Sequence, residues 1–495
     1  MKVSFGCIVA LSLIGCNNPG ASETADSTPA AGGAQGQAGD GSGEIGSGEM
    51  APPIQVASGT PSLVGVTADG WTIFRDGDAL KATKLSEDAQ VQDVASKAGS
   101  VVIRGGAVFN WADMDWMANT GDLSVWSASL GNQEIGTTPY VEALVAANDD
   151  GTSVLYPANA TSTVVDIMIL DANAGEAAPL IENLGLVSEK TCGAKLGFVG
   201  KDVLAGWCEP KSTSAVLQRY TLGDDGWSGA TIADRALPIW SADSSGTRIF
   251  YQSIDYQGIV SDNGTPTMID VSVSGGQITP DGSAVLYTVG DQLRRANVDD
   301  IEPTPIVTTG YKQPVQLSAD FGLALYSTTV TYEQGTQRDL LLVPTDGFHS
   351  TPITLVRDPV ATLGRSAMTR DGRFIAYFTD MTASGGTLHV VDADGTERLT
   401  RENVVEVAAG VDSTLLFTDN SSDPNAYPVV ADLNVVDLAA DAEPKLVEAS
   451  VLDGKNFQVD PSGTSVAYVR SGVDRSAAEQ PTDVSTGLFY RSMLR

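Results

Sequence analysis

The chain has 495 residues, with 29 Lys and Arg against 62 Asp and Glu, a formal net charge of −33, four cysteines and two histidines. That excess of carboxylate excludes nucleic-acid binding, whose phosphates need patches of Lys and Arg, and direct electrostatic adhesion to anionic lipid. An acidic surface serves solubility; a cationic partner or divalent cations are compatible with it.

In chain order, Met1 and Lys2 form a minimal basic region ahead of an apolar run over residues 3–15, which at about thirteen residues is too short to span a bilayer. Residues 1–15 therefore read as an export signal. The run closes on Leu13-Ile14-Gly15-Cys16, which resembles the lipobox of bacterial lipoproteins. The resemblance implies that Cys16 becomes the lipid-modified first residue of the mature chain. Asn17 stands where an aspartate would resemble an inner-membrane retention signal, so the outer membrane is implied, with the protein facing the periplasm or the cell surface. The rival reading is an ordinary signal peptide cut elsewhere.

Residues 16–55 contain Gly, Ala, Ser, Thr, Glu and Asp with almost no large apolar residue, too little to bury for the segment to order itself. It reads as a disordered tether, holding a domain on the order of 35 Å from its anchor. Gly41-Ser42-Gly43-Glu44-Ile45-Gly46 inside it matches G-x-G-x-x-G, but no strand precedes it and no helix follows, so it does not read as a dinucleotide site.

From residue 56 to 495 one unit recurs: a polar turn feeding a short apolar strand. It is clearest in Thr369-Arg370-Asp371-Gly372 before Phe374-Ile375-Ala376-Tyr377-Phe378, in Thr279-Pro280-Asp281-Gly282 before Ala284-Val285-Leu286-Tyr287, and in Thr67-Ala68-Asp69-Gly70 before Trp71-Thr72-Ile73-Phe74. Looser copies begin at Asn148, Ser241, Ser318 and Asp460, and weaker ones at Ser96, Val199 and Gly410. Asp-Gly supplies the positive φ of a tight hairpin turn, and a four-residue run of Val, Ile, Tyr and Phe is too short for a helix. The spacing, about 30 to 52 residues and centred in the low forties, is that of a propeller blade of four strands. No convincing amphipathic helix interrupts the pattern; residues 87–96 come nearest. The expected fold is all-β, a single β-propeller of four-stranded blades. Eight blades are expected, within a range of seven to ten, with the two chain ends completing one blade together.

The (S/T)-x-D-G turn, the apolar strand ending in Tyr or Phe, and a second strand such as Gly386-Thr387-Leu388-His389-Val390-Val391 resemble the TolB-type, WD40-like repeat. The resemblance implies a propeller that binds proteins or acts as a non-catalytic domain beside a peptidase. Its motif residues are turn formers, so it carries over no functional residue.

Cys7 and Cys16 belong to the export segment. Cys192 and Cys208 flank a hairpin of residues 196–199 and 202–207, and an exported chain meets an oxidising compartment. A disulfide between them is expected, closing about fifteen residues and contributing about 3 kcal/mol. The rival, a reactive or metal-binding pair, has no nearby histidine. Asp392-Ala393-Asp394-Gly395 and Asp224-Asp225-Gly226 could offer oxygen ligands to calcium, yet neither completes the twelve-residue EF-hand pattern and each is more simply a hairpin turn. No G-x-S-x-G, H-E-x-x-H or P-loop motif occurs. His349 reads as a loop residue and His389 as a strand residue. No catalytic residue, metal site or cofactor is expected, and the chain is expected not to be an enzyme.

Trp111, Met114, Trp116 and Met117 cluster in a loop longer than a blade connection needs, and are the candidate binding loop. The competing reading makes Trp126 a strand core residue and packs the other tryptophans beneath their loop. The function expected is a monomeric cell-envelope lipoprotein acting as a non-catalytic scaffold that holds an envelope protein or saccharide. The alternative is an exported propeller hydrolase or lyase using carboxylates in the central channel.

Overall fold

The computed structural model describes residue 50 and residues 52–493 apart from 86–89, 162–163, 176, 186–192, 209–214, 225, 308–309, 333–334, 346–351, 358–365, 383–384, 422–428, 441 and 472–485. Cys16, Cys192, Asp225 and His349 lie outside the described residues, so lipid attachment at Cys16 and the Cys192 to Cys208 disulfide fall outside them too. Cys208 closes the strand Asp202–Cys208.

Forty strands and one three-residue 3-10 turn, Glu142–Leu144, make up the regular structure among the described residues. In the region of the weak helical candidate, Val91–Ala95 is a strand. The forty strands fall into ten antiparallel meanders of four, eight of them separate sheets and the ninth and tenth joined into one sheet by a single bridge between Val451 and Arg470. The second, for instance, runs Ser100–Arg104, Ala107–Asp115, Thr120–Ser127 and Gly131–Pro139. Each meander is a blade whose strands are called a to d from the ring axis outward; the a strands of most consecutive blades adjoin, and Ser62–Val66 of the first packs against Phe457–Val459 of the tenth. The fold is thus a β-propeller.

Closure joins the two ends of the chain. Ile54–Ser58 pairs with Gly487–Ser492, Ile54 opposite Tyr490 and Ser58 opposite Gly487, and becomes strand d of the tenth blade. This is the shared blade that the sequence predicts. The blade count of ten lies at the top of the expected range and above its centre of eight, because sharing a blade does not remove one: each of ten inner hairpins opens a blade of its own. The anchor at Ser96 is misplaced. Residues 96–99 connect two blades, and the second blade makes its inner turn at Gly105 and Gly106, between Ser100–Arg104 and Ala107–Asp115.

The recurrent turn is a small hydrogen-bonded machine. In the sixth blade the Thr279 hydroxyl donates to Asp281 Oδ1 at 2.6 Å and accepts the Ala284 amide at 3.0 Å, while Asp281 Oδ1 accepts the Ser283 amide at 3.0 Å. Hydroxyl and carboxylate thereby satisfy backbone donors that strand pairing leaves over. Thr67 with Asp69, Ser318 with Asp320 and Thr369 with Asp371 repeat the 2.6 Å contact. Gly282 takes φ +74°, and a Cβ there would lie 3.0 Å from Asp243 of the preceding blade, so glycine meets a conformational and a packing demand at once.

Neighbouring inner turns are also laced together, by Ala68 N to Gly105 O, Gly106 N to Asn148 O and Ser244 N to Pro280 O at 2.8 to 2.9 Å. Apolar residues sit between blades. Phe109, Trp111 and Val125 pack with Val154 and Tyr156 of the next blade, and Phe74 meets Ala467, Val469 and Leu488 across the closure. Stability is consequently distributed around the ring.

Two outcomes follow from this architecture. Thr279→Val, which strands a buried amide and a carboxylate, is expected to lower stability by about 1–3 kcal/mol in a denaturant titration. The Thr279 hydroxyl, chief among several hydrogen bonds, holds the Asp281 carboxyl below its ordinary 3.8. Its stabilisation is therefore present above pH 3.8 and lost as pH falls through the lowered folded value, so the variant should lose most relative to the parent above that window and least below it. Removing residues 1–58 exposes the edge of Gly487–Ser492, and is expected to lower the melting temperature and produce concentration-dependent association by light scattering. A truncated chain that melts and scatters like the parent would show that the ring closes without that strand.

Candidate functional site

Because the a strands run parallel to one another around the ring, the propeller has two unlike faces. One carries the a–b and c–d turns, with the laced Asp-Gly hairpins. The other carries the b–c hairpins and the connections between blades. Turns of the first face are bound to their neighbours, whereas hairpins of the second can vary in length, and the candidate loop lies there.

In the second blade, the b strand Ala107–Asp115 and c strand Thr120–Ser127 form a hairpin with a bulge between Ala112 and Asp115. Asp113 takes φ +49° at the bulge, and Met114 folds back so that a Cβ on Gly121 would lie 2.6 Å from its sulfur. The eighth blade repeats this frame. Phe374–Thr382 and Gly385–Asp392 bulge between Thr379 and Thr382, Asp380 takes φ +53°, and Met381 covers Gly386 in the same way.

What differs is the tip. The eighth blade closes from Thr382 to Gly385 across two residues, the second from Asp115 to Thr120 across four: Trp116, Met117, Ala118 and Asn119. Trp116 and Met117 are thus additions to a frame that closes without them. They are 67% and 97% exposed, so neither is explained by core packing.

The tip is nonetheless held firmly. Asp115 Oδ1 accepts the amides of Met117 and Ala118 at 2.9 and 3.2 Å. Asn119 Nδ2 donates to Tyr140 O at 2.9 Å, and Tyr140 N returns a bond of the same length to Asn119 O. Lys97 and Asp113 form an ion pair at its base, and that carboxylate pushes the Lys97 ammonium pKa up. An aromatic ladder runs inward: Trp116 meets Tyr140 edge-on at 6.1 Å, Tyr140 meets Trp111 at 5.2 Å, and Trp111 stacks on Phe109 at 6.4 Å.

The four residues read as one loop from the sequence therefore divide. Trp111 is fully buried, with its indole N–H donated to Thr138 at 3.0 Å. Met114 is half-buried bulge packing, and Trp116 and Met117 alone present a surface. Trp126 is buried edge-on against Trp71, as its strand position implies. Among the described residues one further aromatic is exposed, which the sequence did not mark: Tyr256, 60% exposed, in the b–c turn of the fifth blade and hence on the same face.

His389 lies on the strand Gly385–Asp392 with its ring stacked on Tyr377 at 5.2 Å. Its Nδ1 is 3.1 Å from Glu397 Oε2 and its Nε2 3.0 Å from Thr379 Oγ1. The Thr379 hydroxyl is also 3.2 Å from Asp380 Oδ2, so its proton has a second acceptor and is not committed to the imidazole. Asp392 spends its carboxylate on the Thr396 amide and on Arg398, whose Nη2 is 2.7 Å away, and so acts as a turn former there. Gly226, at φ +101°, opens the strand Gly226–Ala233. Among the described residues no group of three or more His, Cys, Asp and Glu is placed to hold a metal ion.

Truncation separates the two tryptophans. Trp111→Ala is expected to cost about 3–5 kcal/mol of stability, and Trp116→Ala to change it by no more than about 0.5 kcal/mol, in parallel chemical denaturations. Comparable losses at both positions would return Trp116 to the core.

No family model matches the sequence, and no curated protein matches it. Solved structures resemble the fold. A eukaryotic initiation factor is 10% identical, the match covering 81% of this chain and 90% of that one with a TM-score of 0.42. An oligogalacturonate lyase in complex with manganese is 12% identical over 61% of this chain and 84% of its own, with a TM-score of 0.30. TolB from Acinetobacter baumannii is 11% identical over 61% and 81%, with a TM-score of 0.27. These are likenesses of fold alone.

Proposed function

We propose that this β-propeller is a non-catalytic binding scaffold of the cell envelope, lipid-anchored through Cys16 to the outer membrane and presenting its b–c hairpins to a partner. The observation that carries the reading is the tip of the second blade. Two large apolar side chains stand in solvent on a hairpin that does not need them, and because hydrogen bonds already fix the backbone of the tip, binding there has little main-chain entropy left to lose.

The path of the chain supports the orientation. Ser465, next to the inner turn of the tenth blade, pairs with Ser492, and Ile54 pairs with Tyr490 near the same end. Residue 50, packed against that blade, therefore delivers the chain to the Asp-Gly face. A tether attached there leaves the b–c hairpins pointing away from the anchor.

Two measurements test this. Cys16→Ser is expected to abolish palmitate incorporation and move the protein from the membrane to the soluble envelope fraction; continued sedimentation with membranes would sink the anchoring. A photo-crosslinking residue in place of Trp116 is expected to form adducts in the envelope, whereas one in place of Leu222, exposed on the opposite face, is not. Equal adducts from both positions would remove the tip as the site.

A further inference from the structure

Tyr256 occupies a conformation that its own side chain disfavours. It sits in the turn between Arg248–Ser253 and Gly258–Asp262 with φ +60°, in the left-handed region where a Cβ crowds the following carbonyl, at a cost of about 1–2 kcal/mol. Most other non-glycine residues with positive φ are Asn or Asp, whose short side chains tolerate it. Phe321, the other aromatic among them, packs against the apolar cluster of its blade and the preceding one. Tyr256 has no such offset, because its ring is largely in water.

The turn is fixed by backbone contacts that any residue could make. Tyr256 N donates to Ser253 O at 3.0 Å, and Tyr256 O accepts the Val273 amide at 2.8 Å. Asparagine or glycine would make both with less strain. An aromatic ring kept in solvent at a strained position is the pattern of a contact residue, in which strain is tolerated because the side chain acts elsewhere.

Its surroundings define the contact. Val271, 52% exposed, follows on the next connection, and Arg235, on the preceding connection, pairs at 3.2 Å with Asp255, the residue before Tyr256. Tyr, Trp and Arg are the residue types that dominate protein–protein contacts, and methionine adapts to a partner's relief. Both aromatic groups are borne on hairpin tips. They are convex, whereas a saccharide or other small ligand requires a concavity that surrounds it. Asp113 and Asp255 at the two tips are already paired, with Lys97 and Arg235, so the charge that selects a partner is that of the whole chain, −33, and the complementary surface is basic.

We propose that Tyr256 is the second anchor of the b–c face, and that a single folded protein with a basic surface bridges it and the Trp116–Met117 tip three blades away. The inference rests on the scaffold reading and adds to it the class of partner and the residue that shares the contact.

The test uses the full-length protein with the crosslinker at position 116 and envelope extract as the probe. Tyr256→Asn is expected to raise the melting temperature by about 1–2 °C while reducing adduct yield at least tenfold. Tyr256→Phe, which keeps ring and strain, should leave both near the parent values. Adduct yield should also fall steeply as salt is raised, and a crosslinker at position 256 should give an adduct of the same mass. A Tyr256→Asn protein that is no more stable than the parent, or that forms the adduct undiminished, overturns the second anchor while leaving the tip in place. Different partners at the two positions, or adducts with saccharide, overturn the bridging protein. Absence of any adduct in the parent overturns the scaffold reading and this inference with it.

Discussion

The constraint on which the whole molecule depends is that a blade cannot be satisfied alone. Each four-stranded sheet buries its two flanks against its neighbours, so that Phe74 needs Leu488 and Trp111 needs its blade's contact with Tyr156. A row of such sheets would leave an apolar flank open at either end. The pairing of Ile54–Ser58 with Gly487–Ser492 converts the row into a ring, and every other interface inherits its partner from that closure. The Asp-Gly turns are the local counterpart. They fix the inner hairpin of most blades at one height, which lets consecutive turns hydrogen-bond around one face.

Much of this was legible in the sequence because it is local chemistry. Thr279, Asp281 and Gly282 carry their own instructions: a hydroxyl to cap, a carboxylate to collect amides and a glycine to reverse the chain. Where a turn uses a different solution the reading fails. Gly105 and Gly106 lack the aspartate, and the polar residues 96–99 imitate the motif a few residues early. The count of blades was harder, since it depends on whether the short first unit is a remnant or a complete member. Only the register of Ile54 against Tyr490 decides that.

The surface was less legible than the fold. Trp111 and Trp116 look alike in sequence, but Trp111 lies within the strand Ala107–Asp115, buried between blades, whereas Trp116 begins the tip beyond the strand's last pair. Recognising Trp116 and Met117 as additions needs the comparison with the eighth blade, where Asp380 and Met381 build the same frame around a shorter tip. Tyr256 leaves no mark at all in the sequence. Its left-handed backbone is imposed by Ser253 and Val273, and the oddity of an aromatic ring there appears only when φ and exposure are known together.

The course of the closing strand has a mechanical consequence. Tension applied to the chain ahead of Ile54 acts along that strand and parallel to Gly487–Ser492, which lies beside it in opposite direction. Its interstrand hydrogen bonds are then sheared together rather than peeled apart one after another. A pull from the amino-terminal side is therefore met by the geometry in which a β-ladder resists force best, and the seam of the ring is oriented to withstand it.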